Sequence, residues 1–234
     1  MRTITALRET KRRGRVNLFL DGRFAFSISG DLVSSEGLRC DKVLTDDEIA
    51  SLSNSDQYQR CLDAALSFLS YRPRSASELQ IKLQKRGFAK ETQVKVMESL
   101  SAKGMLNDAE FARFWTDNRE SFSPRSQRMT RMELQKKGVA KEAIDEAVAA
   151  IDEADSAYRA ASSRVRSLRW SDYDQFRRRL GGYLQRRGFG YSVVGSTLEK
   201  LWREVGSEEK SHTIGINIIN RPEGGEVIYC HKQD

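Results

Sequence analysis

Three glycines, each preceded by two basic residues, stand at nearly equal intervals: Lys85-Arg86-Gly87, Lys136-Lys137-Gly138 and Arg186-Arg187-Gly188, with the glycines 51 and 50 residues apart. Apolar positions keep register with them. A leucine lies four residues before each glycine (Leu83, Leu134, Leu184), and Phe88, Val139 or Phe189 follows directly. Met97, Val148 and Leu198 come ten residues after the glycines, and Leu100, Ile151 and Leu201 thirteen after. Pro-Arg-Ser recurs at 73–75 and 124–126, also 51 apart. So many registered matches define three divergent repeats of about 50 residues. Units of this kind cannot bury their apolar faces alone and must stack on one another.

Each unit reads as three helices. In residues 56–104, Cys61, Leu62, Ala65, Leu66 and Leu69 keep a helical spacing that ends at Tyr71-Arg72-Pro73, where proline stops the helix. Ser75 is placed as an N-cap, with Glu78 three residues on completing a capping box. The second helix runs through Leu79 and Leu83 to Gly87, a residue suited to the left-handed C′ position. A third carries Val94, Met97 and Leu100 toward Gly104. Residues 105–154 repeat this with Phe111, Ala112, Phe114 and Trp115, then Met132 and Leu134, then Ile144, Val148 and Ile151. Residues 155–206 offer Tyr158, Ala161 and Val165, then Tyr173, Phe176, Leu180 and Leu184, then Val193, Val194, Leu198, Leu201 and Trp202. The expected fold is mainly α, a tandem array of three three-helix repeats forming a curved helical solenoid with a small N-terminal β-hairpin region.

The two ends differ from the repeats. Within residues 1–55, Arg15 to Leu20 and Arg23 to Ile28 alternate apolar and polar residues around Asp21-Gly22, a two-residue hairpin signal. Ile4 to Leu7 offers a third strand, and Thr45 to Leu52 opens like a capped helix. Residues 207–234 read as a polar linker, Ser207 to Thr213, followed by either a hairpin (Ile214 to Asn220 with Glu226 to Cys230) or a disordered tail.

Composition excludes several function classes. Apolar residues make up 38% of the 234 and charged residues 31%, which suits thin helical layers rather than one thick core. No apolar run approaches the ~18 residues that read as a membrane span. The N-terminus also lacks the apolar stretch of a signal peptide, so the protein is expected to stay in the cytoplasm. Cys40, Cys61 and Cys230 are too few and too scattered for a disulfide scaffold. Two histidines, His212 and His231, leave little material for imidazole catalysis, and with Cys230 they fall short of the four ligands of a structural zinc site. The acidic clusters Asp46-Asp47-Glu48 and Asp152-Glu153 sit where helix starts attract carboxylates. No phosphate-binding glycine loop or nucleophile elbow occurs. The expectation is a non-enzyme with no cofactor and no metal.

The net charge of +7 is unevenly placed. Residues 155–206 carry eleven basic against five acidic side chains, whereas 105–154 carry eight against ten. The second helix of each unit is the basic one: Arg72, Arg74, Lys82, Lys85 and Arg86 in the first; Arg125, Arg128, Arg131, Lys136 and Lys137 in the second; Arg177, Arg178, Arg179, Arg186 and Arg187 in the third. Basic residues near helix C-termini complement the helix dipole. Those nearer the helix starts do not, and if the units stack in register the three helices would lie side by side as a basic stripe. Arginine's forked donors suit carboxylate or phosphate. Trp115, Trp170 and Trp202 fall in apolar patterns and read as core, leaving Tyr71 as the best candidate for an exposed aromatic.

Residues 64–88 (ALSFLSYRPRSASELQIKLQKRGF from Ala65 on), Gly104 to Ala112 (GMLNDAEFA) and the Glu133-Leu134…Lys137-Gly138 element resemble the bacterial RecX regulators of the recombinase RecA, as does the hairpin from Arg15 to Ile28. The similarity spans roughly residues 1–205. It implies a cytoplasmic modulator without cofactor that binds RecA filaments along their helical groove, and the chain is expected to act as a monomer. Such a protein inhibits filament extension, ATP hydrolysis, strand exchange and co-protease activity. Some members of the family also bind DNA, and a sequence-nonspecific DNA-binding helical repeat protein is the competing reading. A third is an adaptor for another acidic protein.

Overall fold

The computed structural model describes residues 1–11 and 14–216, with 206–216 described as helix alone. Four strands come first: β1 (Arg2–Glu9), β2 (Arg15–Leu20), β3 (Arg23–Ser29) and the two-residue β4 (Val43–Leu44), in the antiparallel order β3-β2-β1-β4. The β2–β3 turn is the expected one. Asp21 and Gly22 both take positive φ (48° and 76°), the backbone of a tight hairpin turn whose twist matches its strands. Side chains tie that turn to β1: the Thr3 amide donates to Asp21 Oδ1 and the Gly22 amide to Thr5 Oγ1. Inward residues Ile4, Leu18, Leu20 and Ile28 meet Leu38, Leu44 and Leu52 in one small core. A short helix, α1 (Gly30–Ser35), and β4 were not legible in the sequence.

Nine further helices follow: α2 (Asp46–Leu69), α3 (Ala76–Lys85), α4 (Lys90–Ala102), α5 (Asp108–Phe122), α6 (Gln127–Lys136), α7 (Lys141–Ala149), α8 (Glu153–Val165), α9 (Tyr173–Arg186) and α10 (Tyr191–Ile216). They fall into the three expected triplets, with α2 supplying the first helix of repeat 1. Thr45 caps the start of α2 as expected, and with Glu48 it closes a full capping box. That helix then continues without a break through residues 55 and 56, so the short N-terminal helix and the first repeat helix are one. No proline or glycine lies between Thr45 and Leu69 to stop it. Gly87, Gly104, Gly138 and Gly188 all take positive φ just beyond helix ends, as left-handed C′ residues do.

Two sequence expectations are corrected. Ser75 accepts the Glu78 amide as an N-cap, but the Glu78 carboxylate turns to Arg72 and Lys137 instead of reaching back to the cap. Two cationic donors offer stronger bonds than one backbone amide. The polar linker expected over 207–213 is the continuation of α10, which runs to Ile216 with no helix-breaking proline. Residues 217–220 and the Glu226 to Cys230 segment of the expected hairpin lie outside the described residues, as do Cys230 and His231.

The chain divides into two compact units, Met1–Asn118 with Thr130–Ala150, and Arg119–Met129 with Ile151–Asp234. In the first, repeat 1 packs Cys61, Ala65, Leu79, Leu83, Val96 and Leu100 together, and repeat 2 buries Phe111, Ala112, Leu134, Ile144 and Val148. A bidentate ion pair between Arg15 and the buried Asp56 fastens β2 to α2: Nη1 lies 2.5 Å from Oδ1 and Nη2 3.0 Å from Oδ2. The same carboxylate takes the Ser29 amide at 2.9 Å, while Arg15 also donates to the Ser27 carbonyl. In the second unit, Ala157, Ala161, Phe176, Leu180, Leu184, Val194, Leu198 and Leu201 form the core, flanked by Trp170, Tyr173 and Trp202.

Candidate interaction surface

The fifteen basic residues of the second helices divide into two groups. Arg72, Arg74, Lys82, Arg125, Arg131, Lys137 and Arg187 are half-buried; Lys85, Arg86, Arg128, Lys136, Arg177, Arg178, Arg179 and Arg186 are exposed. The first group is engaged inside the protein. Arg74 lays its guanidinium 4.2 Å from the Phe68 ring centroid, and Lys82 shares that ring. Burial first, and then the neighbouring Arg72 charge, pull Arg74 below arginine's ordinary value. Arg125 has a buried Nε in the same register position. Arg131 pairs with Asp145 across α6 and α7 at 2.8 Å, a partly exposed pair whose contribution is about 0–1 kcal/mol.

Lys137 and Arg187 have a different role, and it explains why the basic-Gly motif recurs. Inside the first unit, the N-terminus of α3 meets the C-terminus of α6. Ser75 Oγ donates to the Lys137 carbonyl at 2.7 Å, and Lys137 Nζ donates to Glu78 Oε1 at 2.6 Å. Arg72 pairs with the same carboxylate oxygen at 3.1 Å, and Lys137 Nζ sits 4.3 Å from the Trp115 ring centroid. Burial would raise the Glu78 pKa, but hydrogen bonds from Lys137 and Arg72, and their charges, hold it below the ordinary glutamate value. A Cβ on Gly138 would stand 2.6 Å from Ser77 Cβ. The second unit builds the same joint between α6 and α9. The Ser126 amide donates to the Arg187 carbonyl at 3.2 Å, Arg187 Nη1 reaches Ser123 Oγ and the Pro124 carbonyl at 3.0 and 2.9 Å, and a Cβ on Gly188 would stand 2.5 Å from Ser126 Oγ.

At these joints the second helices do not lie side by side. At each of them the second helices meet terminus to terminus, because a serine-capped N-terminus supplies donors to a C-terminus whose last carbonyls have no intrahelical partner. Of the fifteen candidates, Arg72, Lys137 and Arg187 serve these joints, and the other four half-buried ones make contacts elsewhere within the protein. The exposed group is densest on α9. Arg179 Nη1 donates to the Arg169 carbonyl.

Aromatic residues are exposed as well. Tyr71, as expected, is 81% exposed. Phe122 is also 81% exposed and stands 51 residues on, in the same place before Pro-Arg-Ser. The repeat register contains that signal, since Phe122 stands where Tyr71 does. A wide groove of about 1330 Å3 between α1, α2 and the start of α4 is lined by Asp31, Asp47, Asp56, Asp63 and Glu91 with Lys95. It is acidic and holds none of the basic candidates. Among the described residues, no three His, Cys, Asp or Glu side chains gather as a metal site, and no helix is long and apolar enough to cross a membrane.

Comparison with known proteins coincides with these elements. The regulatory protein RecX N-terminal domain matches residues 2–45, the first RecX three-helix domain 61–100 and the second 107–148. Together they span more than half of the chain. The chain belongs to the RecX family. Regulatory protein RecX of Clostridium botulinum (strain Eklund 17B / Type B) is 28% identical over 200 residues, covering 83% of this chain and 93% of that protein. Regulatory protein RecX of Bacillus subtilis (strain 168) is 27% identical over 213 residues, covering 89% and 80%. Two solved structures share the fold. A crystal structure of regulatory protein RecX gives a TM-score of 0.60 at 22% identity, over 85% of this chain and all of that one. RecX from Lactobacillus salivarius gives 0.54 at 19% identity, over 63% and 97%.

Proposed function

We propose that this chain regulates recombination and DNA repair by binding RecA recombinase filaments. In this reading it limits filament extension and lowers ATPase, strand-exchange and co-protease activity, acting as a cytoplasmic monomer without catalysis of its own. The observation that carries the reading is the coincidence of the two RecX three-helix domains with repeats 1 and 2, whose second helices keep Lys85, Arg86, Arg128 and Lys136 exposed; Arg177, Arg178, Arg179 and Arg186 are likewise exposed on the second helix of repeat 3. Many such modest contacts along a repeating partner add to high avidity. Tyr71 and Phe122, exposed at one register position, are of the residue class that anchors protein interfaces. The test is retention of RecA on the immobilised protein after nuclease treatment. Retention supports the reading, and loss of all retention with the nucleic acid overturns it.

A sequence-nonspecific DNA-binding role is the second reading, favoured by the exposed Arg177, Arg178 and Arg179 run on α9. Direct phosphate binding of that kind weakens steeply as salt rises. RecA-specific retention has no such requirement.

A further inference from the structure

Each of the two joints described above combines a C-terminal half, ending in two basic residues and a glycine, with an N-terminal half capped by serine. Repeat 1 has its own C-terminal half, Lys85-Arg86-Gly87, and no described residue sits on it. A Cβ on Gly87 would meet no atom within 4 Å, whereas at Gly138 and Gly188 it would meet a serine at 2.6 and 2.5 Å. Arg86 occupies the position of Lys137 and Arg187 yet is exposed, and no described residue pairs with its guanidinium or its carbonyl. Beside it opens a cavity of about 440 Å3 lined by Arg60, Asp63, Ala64, Ser67, Arg86 and Phe88. In repeat 2 the counterpart of Ala64 is Trp115, which lies against the Lys137 ammonium.

We infer that the open end of α3 is a docking site for the N-terminal turn of an α-helix in the filament partner. The inference rests on the RecA-binding reading and names the contact. The two filled joints state what such a turn requires. Its cap must be small and bring an amide or hydroxyl donor to the Arg86 carbonyl, as Ser126 and Ser75 do for Arg187 and Lys137. It must also present oxygen acceptors to the Arg86 guanidinium, either a carboxylate as Glu78 does or a hydroxyl and carbonyl as Ser123 and Pro124 do. The positive end of the incoming helix dipole would meet the negative end of α3. The cavity, left empty where repeat 2 has its indole, accepts a side chain of the arriving segment.

The experiment places a photo-crosslinking residue in the cavity wall, Ser67→p-benzoylphenylalanine, in the full-length protein, irradiates it with assembled RecA filaments and maps the adducts by mass spectrometry. Adducts are expected in the first turn of a RecA helix with a small hydroxylated or acidic cap. Arg86→Glu in the same background should cut adduct yield and filament affinity by about tenfold, as charge reversal at a charge-assisted hydrogen bond does. Adducts in a strand, loop or helix interior, adducts joining two copies of this chain, or an Arg86→Glu variant with unchanged yield would overturn the inference while leaving filament binding intact. No retention of RecA by the unsubstituted protein would overturn the functional reading, and this inference with it.

Discussion

Gly138 and Gly87 are the same residue of the same motif, and replacing each with alanine separates the joint from the turn. Both have left-handed backbone, φ 74° and 80°, so alanine costs about 1–2 kcal/mol at either site for its Cβ against the following carbonyl oxygen. Only Gly138 has a neighbour. The new Cβ would lie 2.6 Å from Ser77 Cβ, an atom fixed to the backbone of α3 that no rotamer change can withdraw. The joint must open, stretching the Ser75–Lys137 and Lys137–Glu78 bonds, and overpacking of this kind costs about 1–3 kcal/mol more. Gly138→Ala should therefore lose about 2–5 kcal/mol, and Gly87→Ala about 1–2. The assay is urea denaturation followed by circular dichroism, with tryptophan fluorescence as a second probe because Trp115 lies against Lys137. Equal losses at the two glycines would refute the joint as the reason for the motif.

Three further outcomes are expected. Asp56→Ala leaves Arg15 half-buried without its carboxylate and should lower unfolding free energy by about 3 kcal/mol, while the double change Arg15→Met with Asp56→Leu should recover most of that loss. The depressed Glu78 pKa makes its contribution complete above the unfolded-state value near 4.3 and lost as pH falls through the lower folded value. Glu78→Gln should thus flatten the acid limb of the stability profile, and an unchanged slope would show that the Lys137–Glu78–Arg72 cluster is not what titrates there. Neutralising Arg177, Arg178 and Arg179 together, all exposed on α9, should leave helicity and melting unchanged but weaken action on RecA. Wild-type potency in that variant would remove α9 from the interaction surface.

Most of the fold was legible because the repeat constrained it. Periodic leucines and registered glycines located nine helices, and Asp21-Gly22 located the hairpin, since both signals are local. The candidate site was legible only as a list of charges. Whether Lys137 or Arg187 faces solvent depends on residues some sixty positions away, Ser75 with Glu78 and Ser123 with Pro124, and no helical spacing encodes that distance. Two recurrences were nevertheless present, Pro-Arg-Ser and basic-basic-Gly. They are the two halves of one joint, each keeping its own register, and their pairing appears only once the helices are placed. Likewise α2 continues past Ser55 because nothing in its sequence stops it, although a change in charge and pattern there suggested a boundary.

RecA-dependent ATP hydrolysis on single-stranded DNA, with this protein substoichiometric to RecA and DNA in large excess, tests the central claim most directly. If the protein acts on the filament through its exposed second-helix cations, inhibition persists when spare DNA is present. Inhibition that disappears as DNA is added would show that the protein competes for phosphates, and the filament-binding account would be contradicted.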